Sequence, residues 1–340
     1  MQRRTKIAAG VGTALLAAAI AGGGYYYFHM RTDTPDYAIK AVSRSIEKHD
    51  LKEFHRVVNV DSVLNSGYDG FIDGVTSFDS SMTPEARESI RNFTQMLRAP
   101  LIISLKAAID AYVSTGNVNT QEHIGVAEMV QRMGLNDIEV RGVKNIQRND
   151  ANENEAFADL VIFQKELDRD FPIQVLMTRT EDGYWQIVRV QNFKDFVSQI
   201  NQVRRANIDE YLAKSTEINI RHELALREAE KKYGAILSVG SLGQDKTRAE
   251  LKTLMSDVVK KDWEERKQEL FSLHVPKDAE TLHNLYMRIC DLSIGYADDF
   301  AKWMDDKNAL TIKTAESKIQ QAHTLTAEAA ALAKRMASTN

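Results

Sequence analysis

The sequence predicts an α+β protein with an N-terminal transmembrane helix, a helix-capped, cone-like antiparallel sheet and a C-terminal all-α helical bundle. Three observations carry this prediction. Ile7 to Phe28 contain no charged side chain, and a bilayer-crossing helix needs roughly 20 apolar residues. From about Asp137 the apolar residues change to alternating or continuous short runs, and from Phe193 they recur at helical spacing almost to the end. The resulting division is an anchor at 1–30, an α+β domain at 34–200 and a helical domain at 201–340.

The N-terminal segment is read as a retained anchor. Arg3, Arg4 and Lys6 precede it with no acid among them, which keeps the N-terminus cytoplasmic and sends the bulk of the chain across the membrane. Tyr25, Tyr26, Tyr27 and Phe28 form an aromatic cluster suited to the membrane–water interface. The alternative is a signal peptide cleaved near Ala21, where Ala19-Ile20-Ala21 has the small-x-small form of a cleavage site, giving a secreted or periplasmic protein.

Within 34–200, Thr34-Pro35 is a helix start, with the hydroxyl as N-cap and proline in the first turn, where no amide donor is missed. Ala38, Ala41, Val42 and Ile46 then share a face. A short helix follows His49-Asp50, and Thr83-Pro84 opens a long one that Pro100 should kink or divide. Ile138 to Ile146, Ala156 to Leu167, Phe171 to Thr180 and Tyr184 to Val190 are four strands. Asn149 to Asn152, Asp168 to Asp170 and Glu181 to Gly183 supply turn chemistry between them. Connections this short permit only antiparallel neighbours. Past Phe193, a long amphipathic run breaks near Gly234, Gly240 and Gly243. Three further helices follow, carrying Leu251 to Leu270, Leu282 to Trp303 and Leu310 to Leu332.

Two segments resemble a known family. Thr34-Pro35-Asp36-Tyr37-Ala38-Ile39 with His49-Asp50-Leu51-Lys52-Glu53-Phe54 is similar to the first helices of bacterial membrane-anchored domains of the nuclear transport factor 2-like superfamily. Asp182-Gly183-Tyr184-Trp185 through Asn192-Phe193 resembles the last strand of that fold. The resemblance covers roughly Pro35 to Ile200 and implies a helix-capped curved sheet with a pocket between its layers. The superfamily includes isomerases, dehydratases and non-catalytic binders, so the fold leaves function open.

Composition narrows the partners. The chain has 44 basic and 48 acidic residues. Without Arg3, Arg4 and Lys6 the remainder carries about seven net negative charges, which argues against nucleic acid, whose phosphates demand a basic face. The one cysteine, Cys290, lies among apolar helix positions and reads as a buried core residue. Gly240 to Thr247 lacks the spacing of a phosphate-binding loop. The eight histidines lack ligand spacing, and the acidic turn at Asn149 to Glu155 lacks the ordered positions and glycine of a calcium hand, so no cofactor and no metal are expected. Trp185, Trp263 and Trp303 fall on apolar positions and read as core.

The weak catalytic candidates are His49, Asp50, His55, Tyr68 and Asp69, because the enzymes of the resembled superfamily place such groups in the cone and general acid–base work needs titratable side chains. Each also has a bland reading at a helix boundary or turn. The function expected is therefore a non-enzymatic, single-pass cell-envelope protein. Its α+β domain binds a ligand or protein outside the cytoplasm and its helical region is a scaffold. The partners are the membrane, through the N-terminal helix, and an envelope protein or small ligand. The alternative is a small hydrolase, isomerase or dehydratase using the pocket Asp and His residues.

Overall fold

A computed structural model describes residues 34–78, 83–116 and 138–338. They fall into two compact units, one ending at Val203 and the other beginning at Arg204.

In the first unit, helix α1 (Pro35–Glu47) starts where Thr34 Oγ1 accepts from the Tyr37 amide at 3.2 Å, and it buries Ala38, Ile39, Ala41 and Val42. His49, at φ 56°, turns the chain, and Asp50 caps α2 (Leu51–Val57) by accepting from the Glu53 amide at 2.9 Å. Helices α3 (Val60–Phe78) and α4 (Pro84–Thr115) follow. Helix α4 passes through Pro100 undivided. The missing donor costs one intrahelical bond, but Met96, whose carbonyl loses that partner, and Pro100 are both exposed, so water is within reach.

Four strands, β1 (Ile138–Asn149), β2 (Asn152–Gln164), β3 (Arg169–Arg179) and β4 (Trp185–Val190), form one antiparallel meander in chain order. The first hairpin is tighter than the sequence suggests. Asn149 Oδ1 accepts from the Ala151 amide at 3.0 Å and Asn149 pairs with Asn152, so the ladder runs to a two-residue turn. Facing pairs Leu160 with Ile173 and Ile162 with Phe171 set one buried face. Val42, Phe54, Ile109, Trp185 and Phe196 belong to the same core. Each such side chain contributes about 1.5–3 kcal/mol on burial. The Asn59 amide donates to the Ile187 carbonyl at 2.9 Å, which covers the outer edge of β4.

Helix α5 (Phe193–Val239) holds the boundary between the units. Phe196, Val197 and Ile200 bury in the sheet core. The helix runs through Gly234 and stops at Gly240, where a Cβ would collide with the Thr247 hydroxyl. The second unit continues with α6 (Asp245–Leu254), a π-helical turn (Met255–Val259), α7 (Lys260–Phe271), a 3-10 turn (Lys277–Ala279), α8 (Glu280–Asp306) and α9 (Ala309–Ser338). Lys307, at φ 52°, ends α8, and Asn308 Oδ1 accepts from the Leu310 amide at 2.8 Å as α9 begins. Ala315, Ala322 and Ala329, seven residues apart, keep the buried face of α9 thin, which lets helices approach closely.

The expected fold class is therefore corrected. The described residues are mostly helical, at 72%, so the four-stranded sheet is a minority element rather than half of a balanced α+β architecture. The excess comes from long helices such as α5 and α9, whose polar residues recur at every turn. For that reason no helix among the described residues is long and apolar enough to cross a membrane. The anchor assigned to 1–30, with Arg3, Arg4, Lys6, Tyr25, Tyr26, Tyr27 and Phe28, lies outside the described residues.

Candidate functional site

The five residues that the sequence offers for catalysis do not converge. His49 Nδ1 donates to the Val113 carbonyl of α4 at 3.0 Å, and its ring lies against Gly116. Asp50 is a helix cap. The Tyr68 hydroxyl donates to the Thr94 carbonyl, and burial raises its pKa. Asp69 holds Arg98 at 2.9 Å on the surface. His55 alone has an acid–base partner, Asp110, 2.9 Å from its Nε2, with side chains 35% and 31% exposed. Asp110 sits on α4, distant in sequence, so spacing could not have revealed the pair.

The helical unit holds a more developed site. A cavity of about 700 Å³ opens among α5, the π turn, α7, α8 and α9, within the 300–1,000 Å³ usual for ligand pockets. Its apolar wall includes Met255, Trp263, Tyr286 and Tyr296. Met255 comes from the π turn, a feature that often marks functional positions. Its polar groups include Asn219, Arg266, Cys290 and Ser293 inside, Glu223 and Glu230 on exposed positions of α5, and His323 and Thr326 on exposed positions of α9.

Arg266 organises this wall. Asn219 Oδ1 accepts from Nε at 2.9 Å and from Nη2 at 2.7 Å, and the guanidinium lies 4.5 Å from the Trp263 ring centroid. Among the described residues Nη1 has no hydrogen-bond partner. Burial lowers the Arg266 pKa, and Cys290, Glu223 and Asp262 oppose that through space. Burial also raises Tyr286 and Tyr296 and pushes the Cys290 thiol up to about 11. Ser293 is 1% exposed, and among the described residues its hydroxyl has no partner.

The frame behind the wall is polar. Buried His222 places Nδ1 2.9 Å from Asp262 Oδ1, with Nε2 3.6 Å from Glu269, and Arg221 pairs with Glu269. These contacts tie α5 to α7, one turn either side of Arg266. No group of three or more His, Cys, Asp or Glu residues among the described residues could hold a metal ion.

The sequence treats Trp263 as core and Cys290 as a packed thiol. Cys290 is buried, whereas Trp263 is half-buried and lines the cavity. The only local trace of the site is Trp263 and Arg266 one turn apart on α7. Comparison with known proteins finds no matching family model, curated protein or solved structure. The likeness to nuclear transport factor 2-like domains thus rests on the two quoted segments alone.

Proposed function

We propose that the chain is a non-enzymatic binding protein whose ligand seat is the cavity of the helical unit. The observation that carries this reading is a ligand-sized, aromatic-walled cavity lined by Arg266, whose Nη1 makes no hydrogen bond among the described residues, and by Ser293, whose buried hydroxyl has no partner among them. Such a combination suits recognition, because apolar walls supply affinity and a few placed polar groups supply orientation. Among the described residues the Ser293 hydroxyl has no hydrogen bond to a base, the pairing that would activate it for covalent catalysis.

The test uses the neutral, environment-sensitive dye prodan with the full-length chain. Saturable binding with a blue-shifted emission is expected, and Thr326→Trp, which places an indole at an exposed lining position, should weaken it at unchanged helical circular dichroism. Equal binding by the variant would refute the site. Export of the chain across the cytoplasmic membrane belongs to the same proposal and rests on Arg3, Arg4 and Lys6 ahead of the apolar segment. Protease accessibility of the bulk chain in protoplasts is the expected result.

A second reading, acid–base catalysis, has one observation in its favour, the 2.9 Å contact of His55 with Asp110. It predicts that His55→Asn, still folded, reproduces whatever cellular phenotype deletion of the gene produces.

A further inference from the structure

We propose that the helical cavity selects an organic monoanion with an aromatic or aliphatic body, such as an aryl or alkyl carboxylate, whose head group meets Arg266 Nη1 and Ser293 Oγ. The inference rests on the binding reading above and adds the chemical class of the ligand.

The argument begins with the charge on Arg266. A guanidinium out of bulk water is ordinarily matched by a carboxylate, which compensates the lost hydration. Here the hydrogen-bonding partner is the neutral amide oxygen of Asn219, which takes Nε and Nη2 and leaves Nη1 unused among the described residues, while the carboxylates of Glu223 and Asp262 act on the charge only through space. The side-chain amide orients the fork without cancelling its charge. Orientation matters, because a fixed guanidinium edge can meet both oxygens of a carboxylate at once.

Ser293 supplies an independent observation. A serine within a helix commonly returns its hydroxyl to a carbonyl of the preceding turn, as Ser215, Ser238 and Ser272 do in this unit. Ser293 Oγ does not, although the residue is buried to 1% and lines the same cavity. A buried hydroxyl without a partner is costly. A ligand oxygen would relieve that cost and the unused Arg266 edge together.

The opposite ligand charge is disfavoured by two features. Glu223 and Glu230 could attract a cation, but both are exposed, where salt screens charges within about 8–10 Å, and Glu223 already pairs with Arg227 at 3.5 Å. An aromatic cage for an ammonium group would need the face of Trp263, the strongest cation-binding ring. Arg266 covers it at 4.5 Å. The remaining wall, with Met255, Tyr286 and Tyr296, fits the uncharged body of the ligand.

The test compares three probes of one shape by calorimetric titration of the full-length chain: 1-naphthylacetate, 2-(1-naphthyl)ethanol and 2-(1-naphthyl)ethylammonium. The anion should bind about 10- to 100-fold more tightly than the other two, the range of a charge-assisted hydrogen bond. Arg266→Gln should erase that preference while leaving the alcohol's affinity unchanged, and Ser293→Ala should reduce it several-fold. If Arg266→Gln fails to fold, Asn219→Asp tests the same point, since it keeps the guanidinium but gives it a carboxylate partner; loss of the anion preference is again expected. Alcohol and ammonium binding as tightly as the anion would overturn the anion inference and leave the cavity reading intact. No binding by any probe would overturn the cavity reading itself. Anion preference that survives Arg266→Gln, or Asn219→Asp where Arg266→Gln does not fold, would overturn the assignment to this cavity.

Discussion

Replacing Trp185 by alanine should remove the largest wedge from the core of the sheet unit. Trp185 is 1% exposed and sits opposite Arg179 in the β3–β4 ladder. A buried tryptophan hides roughly 150–250 Å², and about 25 cal/mol per Å² converts this into roughly 4–6 kcal/mol as an upper value. The retained Cβ and the partial compactness of the unfolded chain reduce it, leaving about 3–5 kcal/mol, the usual range for such truncations. Since each 1.4 kcal/mol is tenfold, amide protection in β2 and β3 should fall by about 10²- to 10⁴-fold under conditions where exchange reports opening equilibria. Hydrogen exchange followed by mass spectrometry reads this segment by segment. A loss below about tenfold with the sheet still formed would refute the claim that the indole holds the layers together.

Three further outcomes follow from particular groups. Burial lowers the His283 pKa below 6.5, so its neutral ring, 3.3 Å from the Tyr211 hydroxyl, contributes stability that is complete above that pH and lost as pH falls through the folded-state value; urea midpoints between pH 7.5 and 5 should fall more steeply for the wild type than for His283→Gln, and parallel profiles would exclude the residue. Cys290, buried to 1% with its thiol pKa at about 11, should react with iodoacetamide at pH 8 about 100-fold more slowly than after denaturation; equal rates would mean an accessible thiol. His55→Asn should cost no more than about 1 kcal/mol in urea denaturation, because its contact with Asp110 is partly solvated; a much larger loss would show a buried structural role.

What the sequence makes legible is local. Thr34-Pro35, Thr83-Pro84 and Asp50 mark helix starts because the capping atom lies within three residues of the amide it serves. The four strands are visible because their turns carry their own chemistry in Asp150, Asp168 and Gly183, the last two at positive φ. The undivided helix through Pro100 is not visible, since it depends on which groups face water. The cavity is hidden for a different reason. Asn219, Arg266 and Ser293 come from three helices, and neither the unused edge of a guanidinium nor an idle hydroxyl leaves a pattern in spacing. His55 and Asp110 are hidden in the same way, 55 residues apart.

The π turn at Met255–Val259 carries a consequence for how this chain tolerates insertion and deletion. An α-helix advances about 100° per residue, so losing one residue there would restore regular α hydrogen bonding and rotate everything beyond it by that angle relative to α6. Trp263 and Arg266 would swing off the cavity together, while His222 would lose its contact with Asp262. The shortened helix would have the more regular backbone and the poorer site. Single-residue deletions across 255–259 should therefore separate backbone regularity from the lining of the cavity, making this turn the place where one codon decides whether the bundle keeps an open aromatic wall or only a packed one.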